Sequence, residues 1–528
     1  MTDLLPQKTK RPVRFFNTTG PCDPLDHYML PPAERLVGAQ LHRYIRDSLY
    51  WVLHAPRQTG KTTFLKSWAR EINSGTEAVA CYVSVESCQG ITGRAEAMIN
   101  IHKAACAFAK KSELPVPDLP INDTEFLLHA TMQKWAELVE PKPLVVLFDE
   151  ADVLEGEALV YFLRQLRTGF AGRGIGKFPV SIALVGMRDL KDYITAAKGG
   201  VAPNPGSPFN IKADSAVLSN FSKTDIENLF AQRTEETGQT ISLEAIEYVQ
   251  EQSQGQPWIV NNLFMRATMR VLGEESGETV TLAHVKEARE QMVLARETHL
   301  DALAYRMQNP EVRGVMESLI TGASDPMLAE SEGFRLCLDL GLVAKRGGAL
   351  SVANPLYQEV LARHMTYGPQ TAMPEPDWQW EKPDGSLDMD ALLKEFQIFW
   401  RENSEAWEEK MNYTEAFPHL LLMAFLQRVT NGGGRIDREY AAGRGRMDLL
   451  VEYNGKKNVV EIKMVHERQS ADIVTEKGLE QTARYRDAKS PGSPAYLVIF
   501  DRRGSAKEKT WEERISWNMA GNITIVGC

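Results

Sequence analysis

The sequence predicts an α/β protein in two parts, and three observations lead there. Strand-length apolar runs alternate with helical periods from Tyr50 to Val185, one of those runs opens into a tight loop and a helix at Gly60-Lys61-Thr62, and Asn454-Gly455 separates two alternating runs nearer the C-terminal end. Strands alternating with helices give a parallel sheet covered on both faces. Asn-Gly between alternating runs gives a two-residue hairpin loop.

The length of 528 residues suggests about three domains, and an apolar share of 43% is ordinary for a soluble globular protein. A formal net charge of −10 excludes a molecule that is basic all over, so contact with nucleic acid has to use local basic patches. The six cysteines, Cys22, Cys81, Cys88, Cys106, Cys337 and Cys528, show no C-x-x-C and no zinc spacing. They read as reduced, mostly buried thiols. No signal-like segment opens the chain and no apolar run approaches the ~18 residues of a membrane span, so the expected location is the cytoplasm, away from membranes.

Residues 1–32 are turn-rich, and their aromatic stretches, Arg14-Phe15-Phe16-Asn17 and His27-Tyr28, either wall a base pocket or cover a sheet edge. A helical pattern from Ala33 to about Asp47 leads to the run Tyr50-Trp-Val-Leu-His54, then to Ala55-Pro56-Arg57-Gln58-Thr59-Gly60-Lys61-Thr62-Thr63. A strand, a tight loop and a helix N-terminus in that order cradle phosphate, because the loop amides and the helix's unpaired N–H groups converge on one anion. The spacing is that of the P-loop, G-x-x-x-x-G-K-[ST], with Ala55 adding one methyl at the first position. Lys61 is assigned to the β- and γ-phosphates and Thr62 to Mg²⁺. A second run, Leu144-Val-Val-Leu-Phe148, ends in Asp149 and Glu150. Asp149 orients the metal in this reading, and Glu150 polarises the attacking water as general base.

The remaining core elements are a strand near Val79–Val85, helices near Ala95–Lys111, Asp123–Glu140 and Glu157–Gly169, and the strand Val180–Val185. That last strand runs into Gly186-Met187-Arg188-Asp189, which puts Arg188 at the sheet edge where a γ-phosphate lies. The core is expected over 33–220 and a helical lid over 221–300, with helices Lys223–Gly238, Ser242–Gln252, Trp258–Leu272 and Leu282–Ala295. Within the lid, Gly255-Gln256-Pro257-Trp258 ends one helix and starts the next. Over 301–365 two helices, two short strands around Gly347-Gly348 and a last helix suggest a winged helix. No basic recognition helix accompanies it, which favours relay of nucleotide state over DNA binding.

The run APRQTGKTT, the strand end LFDE, the GMRD edge and GQPW ahead of a winged helix together resemble AAA-like ATPases of the STAND and archaeal-ATPase kind. The resemblance covers roughly Arg14 to His364. It implies ATP as the nucleotide, Arg188 as a sensor of the γ-phosphate, and Pro257 in a turn packed near the nucleotide. A homo-oligomer formed in response to nucleotide is the expected assembly, although no clear arginine finger is seen.

Proline-rich residues 366–384 read as a linker, and 385–528 as a further domain opening with helices near Met389–Glu402 and Tyr413–Val429. Pairing outward from Asn454-Gly455 puts Tyr453 opposite Lys456 and Asp448 opposite Glu461. Two carboxylates facing each other with Cβ atoms about 5 Å apart are destabilising without a cation between them. A bound Mg²⁺ removes that penalty. Period two sets Lys463 on the face of Glu461, with Val460, Ile462 and Met464 opposite. Such a set suits metal-assisted phosphodiester hydrolysis: carboxylates fix Mg²⁺, and the lysine orients water or offsets developing charge.

Asp448, Glu461 and Lys463 resemble the acid, acid and lysine of the PD-(D/E)xK nuclease superfamily, with Met447 where the proline of that name stands. Gln481 and Tyr485, four apart on a helix over Gly478–Asp487, match the Gln-x-x-x-Tyr of some subfamilies, and Glu415 or Glu439 is the candidate extra acid. The resemblance implies an α/β restriction-endonuclease-like domain using Mg²⁺ or Mn²⁺. Arg435, Arg438, Arg444, Arg446, Lys456 and Lys457 are the basic residues available to phosphates. The whole chain resembles bacterial AAA-like ATPases with a fused nuclease domain, often linked to mobile elements or defence against foreign DNA. The expected function is an ATP-controlled, Mg²⁺-dependent nuclease acting on DNA, with RNA left open. The alternative is a nucleotide switch or scaffold whose nuclease-like domain only binds nucleic acid or a partner. A translocating motor is disfavoured because no helicase motifs follow the P-loop.

Overall fold

The computed structural model describes residues 13–121, 124–173, 175–187, 212–274, 276–295, 298–321, 328–346, 349–372, 380–410, 417–430, 434–440, 447–466, 469–501, 503 and 510–528, with backbone alone at 212, 298, 301, 321, 349, 366–372, 403–410, 417, 420, 428–430, 434–440, 447–448, 489 and 512. The chain divides into two compact units, Met1–Ala295 with Asp339–Gly341, and Arg296–Leu338 with Leu342–Cys528.

The first unit is built on a six-stranded sheet. Its strands are β1 (Leu36–Val37), β2 (Tyr50–His54), β3 (Val79–Ser84), β4 (Leu144–Asp149), β5 (Ser181–Gly186) and β6 (Lys212–Leu218), in the order β1-β6-β2-β5-β4-β3. All neighbours are parallel except the short β1, which runs antiparallel to β6. Every residue of β4 and β5 is buried, as expected of central parallel strands covered on both faces. Their side chains alternate: Val146 and Phe148 join Met98, Trp135 and Phe162 from helices α3 (Arg94–Lys111), α4 (Leu127–Leu138) and α5 (Gly156–Gly172). Val145 and Leu147 join Tyr44, Phe64 and Trp68 from α1 (Leu41–Arg46) and α2 (Lys61–Ser74) on the other face.

The structure departs from the sequence reading at the β1–β6 edge of this sheet. The helix expected over Ala33–Asp47 is a 3-10 turn at Pro32–Arg35, the strand β1, and only then α1. Strand β6 was not expected at all; it pairs with β2 and completes the sheet beside the P-loop strand.

The lid comprises α6 (Lys223–Thr237), α7 (Leu243–Ser253), α8 (Pro257–Met265) and α9 (Leu282–Leu294). Each start has a local cause. Ser222 and Asp225 close a capping box on α6, Ser242 caps α7, and Pro257 opens α8 at the first helical position. The expected single helix Trp258–Leu272 changes character, becoming a π-helical turn at Arg266–Val271.

In the second unit, α10 (Thr298–Arg306), α11 (Pro310–Thr321) and α12 (Glu332–Asp339) precede a small hairpin of β7 (Val343–Arg346) and β8 (Ala349–Val352), then α13 (Pro355–Ala372). Helix α13 runs through Ala372, so the first part of the expected linker is helical. The C-terminal part holds α14 (Met389–Lys410), α15 (Phe417–Thr430) and a six-stranded mixed sheet. The strands are β9 (Gly434–Tyr440), β10 (Met447–Tyr453), β11 (Lys456–Val465), β12 (Ala495–Asp501), β13 (Ser516–Ala520) and β14 (Ile523–Gly527), ordered β13-β14-β12-β11-β10-β9. Strands β9, β10 and β11 are antiparallel neighbours, and β11, β12 and β14 are parallel. Helix α16 (Ala471–Lys489) covers one face, where Leu479 and Ala483 pack on Leu450, Val459 and Leu497. Helix α14 covers the other, with Phe396 edge-on to Phe500 and Asp390 accepting from the Tyr496 hydroxyl.

Candidate functional site

In the first unit the loop between β2 and α2 turns on two left-handed residues, Gln58 (φ 57°) and Gly60 (φ 96°). Left-handed residues in a tight loop aim successive amides to one side, which makes an anion-binding concavity at the helix start. Gly60 is required at its position both by that φ and by the Arg35 guanidinium, whose Nη1 would lie 3.3 Å from an added Cβ. The Thr59 hydroxyl donates to Pro56 O at 2.9 Å, closing the loop on itself.

Lys61 Nζ donates to the carbonyls of Ala55 and Pro56 at 2.7 and 2.8 Å, and burial lowers its pKa to about 8 against the opposing pull of Asp152, Asp149 and Glu150. The Thr62 hydroxyl donates to Asp149 Oδ2 at 2.6 Å. Asp149, itself buried, also accepts from the Tyr82 hydroxyl at 3.0 Å, and its other oxygen accepts from Glu150 N at 3.0 Å. A hydroxyl and a carboxylate in contact at the sheet's C-terminal edge are the oxygen donors that Mg²⁺ prefers, so these residues fit the ion. Thr63 Oγ1 accepts from Cys22 N at 3.1 Å, which ties the N-terminal segment to the start of α2.

Glu150 is held at φ 57°, an uncommon conformation for a residue with a Cβ. Burial raises its carboxyl pKa to about 7, helped by the nearby Glu86, Asp149 and Asp152 carboxylates. With Glu150 as the general base expected from the sequence, which must be deprotonated to act, kcat/KM for nucleotide hydrolysis is expected to rise with pH through about 7 and level off above it. A pH–rate profile checks this, and Glu150→Gln should lower the rate at every pH.

Arg35, which sequence reasoning missed, joins three parts of this site. It is only 8% exposed, donates from Nη2 to Thr59 O at 2.8 Å and from Nε to Ser219 O at 3.0 Å, and lies 4.7 Å from the Phe221 ring centroid. Burial lowers its pKa to about 10, so it stays charged at neutral pH. The local sequence, Ala33-Glu34-Arg35-Leu36-Val37, carries no signal for it. From the lid, Gln256 Nε2 approaches Gln58 O at 3.4 Å and Trp258 Nε1 donates to Thr18 O at 2.9 Å. The turn holding Pro257 thus sits against the P-loop, and Arg57 is exposed, with its charge felt at Lys61 and Glu150. Phe16 packs on Tyr28, Phe230 and Phe264, so the N-terminal aromatic segment rests on the lid helices. Arg188 lies outside the described residues.

In the second unit the hairpin pairs Tyr453 with Lys456 and continues to Leu449 with Val460, so Asp448 and Glu461 occupy the next position outward. The β9–β10 register puts Glu439 opposite Asp448. By backbone register Glu439, Asp448 and Glu461 therefore lie in one row across three neighbouring strands. Glu461 and Lys463 are 1% and 2% exposed, and Lys463 Nζ is hydrogen-bonded to Glu461 Oε1. The other oxygen, Glu461 Oε2, is buried without a hydrogen-bond partner among the described residues. Buried polar atoms are nearly always partnered, and a divalent cation held with Asp448 would satisfy this one. The residues present therefore fit Mg²⁺.

Helix α16 comes close over this row because Gly478 has no side chain: an added Cβ would lie 3.2 Å from Lys463 Cγ and 2.8 Å from Leu497 Cδ1. Gln481 is one turn further along the face that Gly478 presents, and Tyr485 packs beside Leu450 and Leu497. Lys456 and Lys457 take another place than expected. They sit at the hairpin tip, four to five residues and thus about 15 Å along β11 from Glu461. Lys456 is paired with Asp384. Arg435 and Arg438 lie on β9, and Glu415, Arg444 and Arg446 lie outside the described residues.

No protein-family model and no curated protein matches this chain. Among solved structures, a Walker-type ATPase of Pyrococcus abyssi is 14% identical, with a TM-score of 0.47 over 66% of this chain and 99% of its own. The RuvB Holliday junction branch migration motor of Thermotoga maritima is 14% identical, with a TM-score of 0.33 over 61% of this chain and 90% of its own. Cdc6p of Pyrobaculum aerophilum is 15% identical, with a TM-score of 0.34 over 61% and 89%.

Proposed function

We propose that the chain is an ATP-binding and ATP-hydrolysing protein that controls a Mg²⁺-dependent nuclease site cutting DNA, in defence against foreign DNA. The observation that carries the nuclease reading is Glu461: one carboxylate oxygen on Lys463, the other buried without a partner among the described residues, and Asp448 next to it by strand register. In this reading Asp448 and Glu461 would hold Mg²⁺, which would supply Lewis-acid chemistry at the scissile phosphate. Lys463 places its ammonium beside the carboxylate that holds the metal and offsets charge growing on the phosphate. Gln481 orients a substrate or water oxygen from α16.

For the nucleotide half, the support is the contact of Thr62 with Asp149 beside a loop that turns on the left-handed Gln58 and Gly60 into the start of α2. Thr62 and Asp149 hold Mg²⁺, Lys61 the β- and γ-phosphates, and Glu150 takes a proton from the attacking water. Arg188 is proposed as the sensor of the γ-phosphate and the Pro257 turn as packing near the nucleotide. Nucleotide-dependent self-association is the assembly proposed.

The metal requirement supplies the test. With circular DNA, cleavage is expected in Mg²⁺ or Mn²⁺, none in excess EDTA, and recovery when Mg²⁺ is restored. Cleavage that persists in EDTA sinks the two-acid metal site. Absence of cutting in every metal, with ATP hydrolysis intact, moves the assignment to a nucleotide switch whose C-terminal domain only binds.

A further inference from the structure

His102 and Cys106 lie four apart on α3, on one face of the helix, and Asp118 follows in the loop leading towards α4. One ligand atom from each of the three residues lies within 4.8 Å of the other two, and Cys106 Sγ is 3.7 Å from His102 Nε2. Tetrahedral bonds of about 2.3 Å to sulfur and about 2.0 Å to nitrogen set two such ligand atoms roughly 3.5 Å apart. The existing spacing is within a few tenths of an ångström of that.

The histidine is oriented for the purpose. Thr131, on α4, donates its one hydroxyl proton to Leu127 O at 2.6 Å, so its 2.9 Å contact with His102 Nδ1 requires the ring nitrogen to donate. That fixes the tautomer with the proton on Nδ1 and a lone pair on Nε2, the nitrogen facing Cys106. A ligand histidine whose second ring N–H is held by a neighbouring oxygen is the usual arrangement around a bound metal. His102 is 3% exposed, which fixes its ring, whereas Asp118 is exposed and leaves an entry path from solvent.

We propose that His102, Cys106 and Asp118 bind one tetrahedral transition-metal ion of the zinc type, with the fourth position taken by water. As the sulfur–metal bond forms, the Cys106 thiol proton leaves to solvent, and the thiolate and carboxylate together neutralise the divalent charge. Imidazole and thiolate select Zn²⁺ or Co²⁺ over Mg²⁺. The ion pins the loop after α3 to the α3–α4 pair, within the first unit. No cysteine pair announces the site, because only one of its ligands is a cysteine.

Titration of the reduced, chelator-treated full-length protein with Co²⁺ tests this. One equivalent is expected to give a thiolate-to-cobalt charge-transfer band with the strong visible bands of tetrahedral Co²⁺, and Zn²⁺ should abolish both. Cys106→Ser should remove the charge-transfer band, and Asp118→Asn, at an exposed loop position, should weaken Co²⁺ binding on the order of tenfold or more. All-oxygen sites give no thiolate band, so ions in the Mg²⁺ sites do not interfere. No such band, a band that survives Cys106→Ser, or unchanged affinity in Asp118→Asn overturns the proposal. Should Cys106→Ser not fold, Asp118→Asn decides by itself.

Discussion

Lys463→Ala is expected to abolish DNA cleavage, by on the order of 10²–10³-fold, while ATP hydrolysis stays at the level of the unaltered protein. The lysine is the one cation hydrogen-bonded to Glu461 among the described residues, and it lies on the same strand two residues on. Both groups are buried, so the substitution also leaves an uncompensated charge, at a cost of about 3–5 kcal/mol. Lys463→Met, which keeps the apolar stem, and the pair Lys463→Met with Glu461→Gln, which removes both charges, separate lost chemistry from lost folding. The double variant should melt close to the unaltered protein and still not cut. Normal cutting by any of these variants contradicts the assignment of Lys463.

The second large effect is at Lys61. Lys61→Ala is expected to lower ATP turnover by about 10²–10³-fold, because a positioned cation is lost from the phosphate site. The fold should tolerate this well. A lysine whose folded-state pKa is depressed to about 8, chiefly by burial, carries its charge at a stability cost at pH 7, and that cost disappears with the ammonium. Unchanged melting together with lost nucleotide binding, read by calorimetry with and without ATP, is the expected pair of results. If Lys61→Ala bound and hydrolysed ATP normally, the loop after β2 would not be a nucleotide site. Because control is proposed to run from nucleotide to nuclease, Lys61→Ala should also remove any effect of ATP on cutting.

Much of the nucleotide loop was legible because its signal is local. A strand, a glycine-containing loop and a helix start lie within about 14 consecutive residues, Tyr50 to Thr63, and their geometry follows from sequence order. The β10–β11 hairpin was legible for the same reason: Asn454-Gly455 fixes a two-residue loop, and register then follows by counting, as the pairing of Tyr453 with Lys456 shows. Strands β6 and β9 were missed because their sequences, KADSAVL and GRIDREY, carry charged residues that blur a strand pattern. β9 closes one edge of its sheet, where charged residues discourage further pairing. Arg35 could not be read from sequence, since its partners, Thr59 and Ser219, are 24 and 184 residues away. Nor could the Lys456 pairing with Asp384, 72 residues upstream, be read from sequence. The His102–Cys106–Asp118 cluster was equally hidden, because its proximity depends on how the chain folds back after α3.

Cleavage of circular and linear DNA by the purified protein in Mg²⁺, compared without nucleotide, with ATP and with a non-hydrolysable analogue, bears most directly on ATP control of the nuclease. Cutting that changes between these conditions, loses its nucleotide dependence in Lys61→Ala and disappears in Lys463→Met is the predicted result. Cutting at one constant rate in every nucleotide condition, or equally in Lys463→Met, would contradict it.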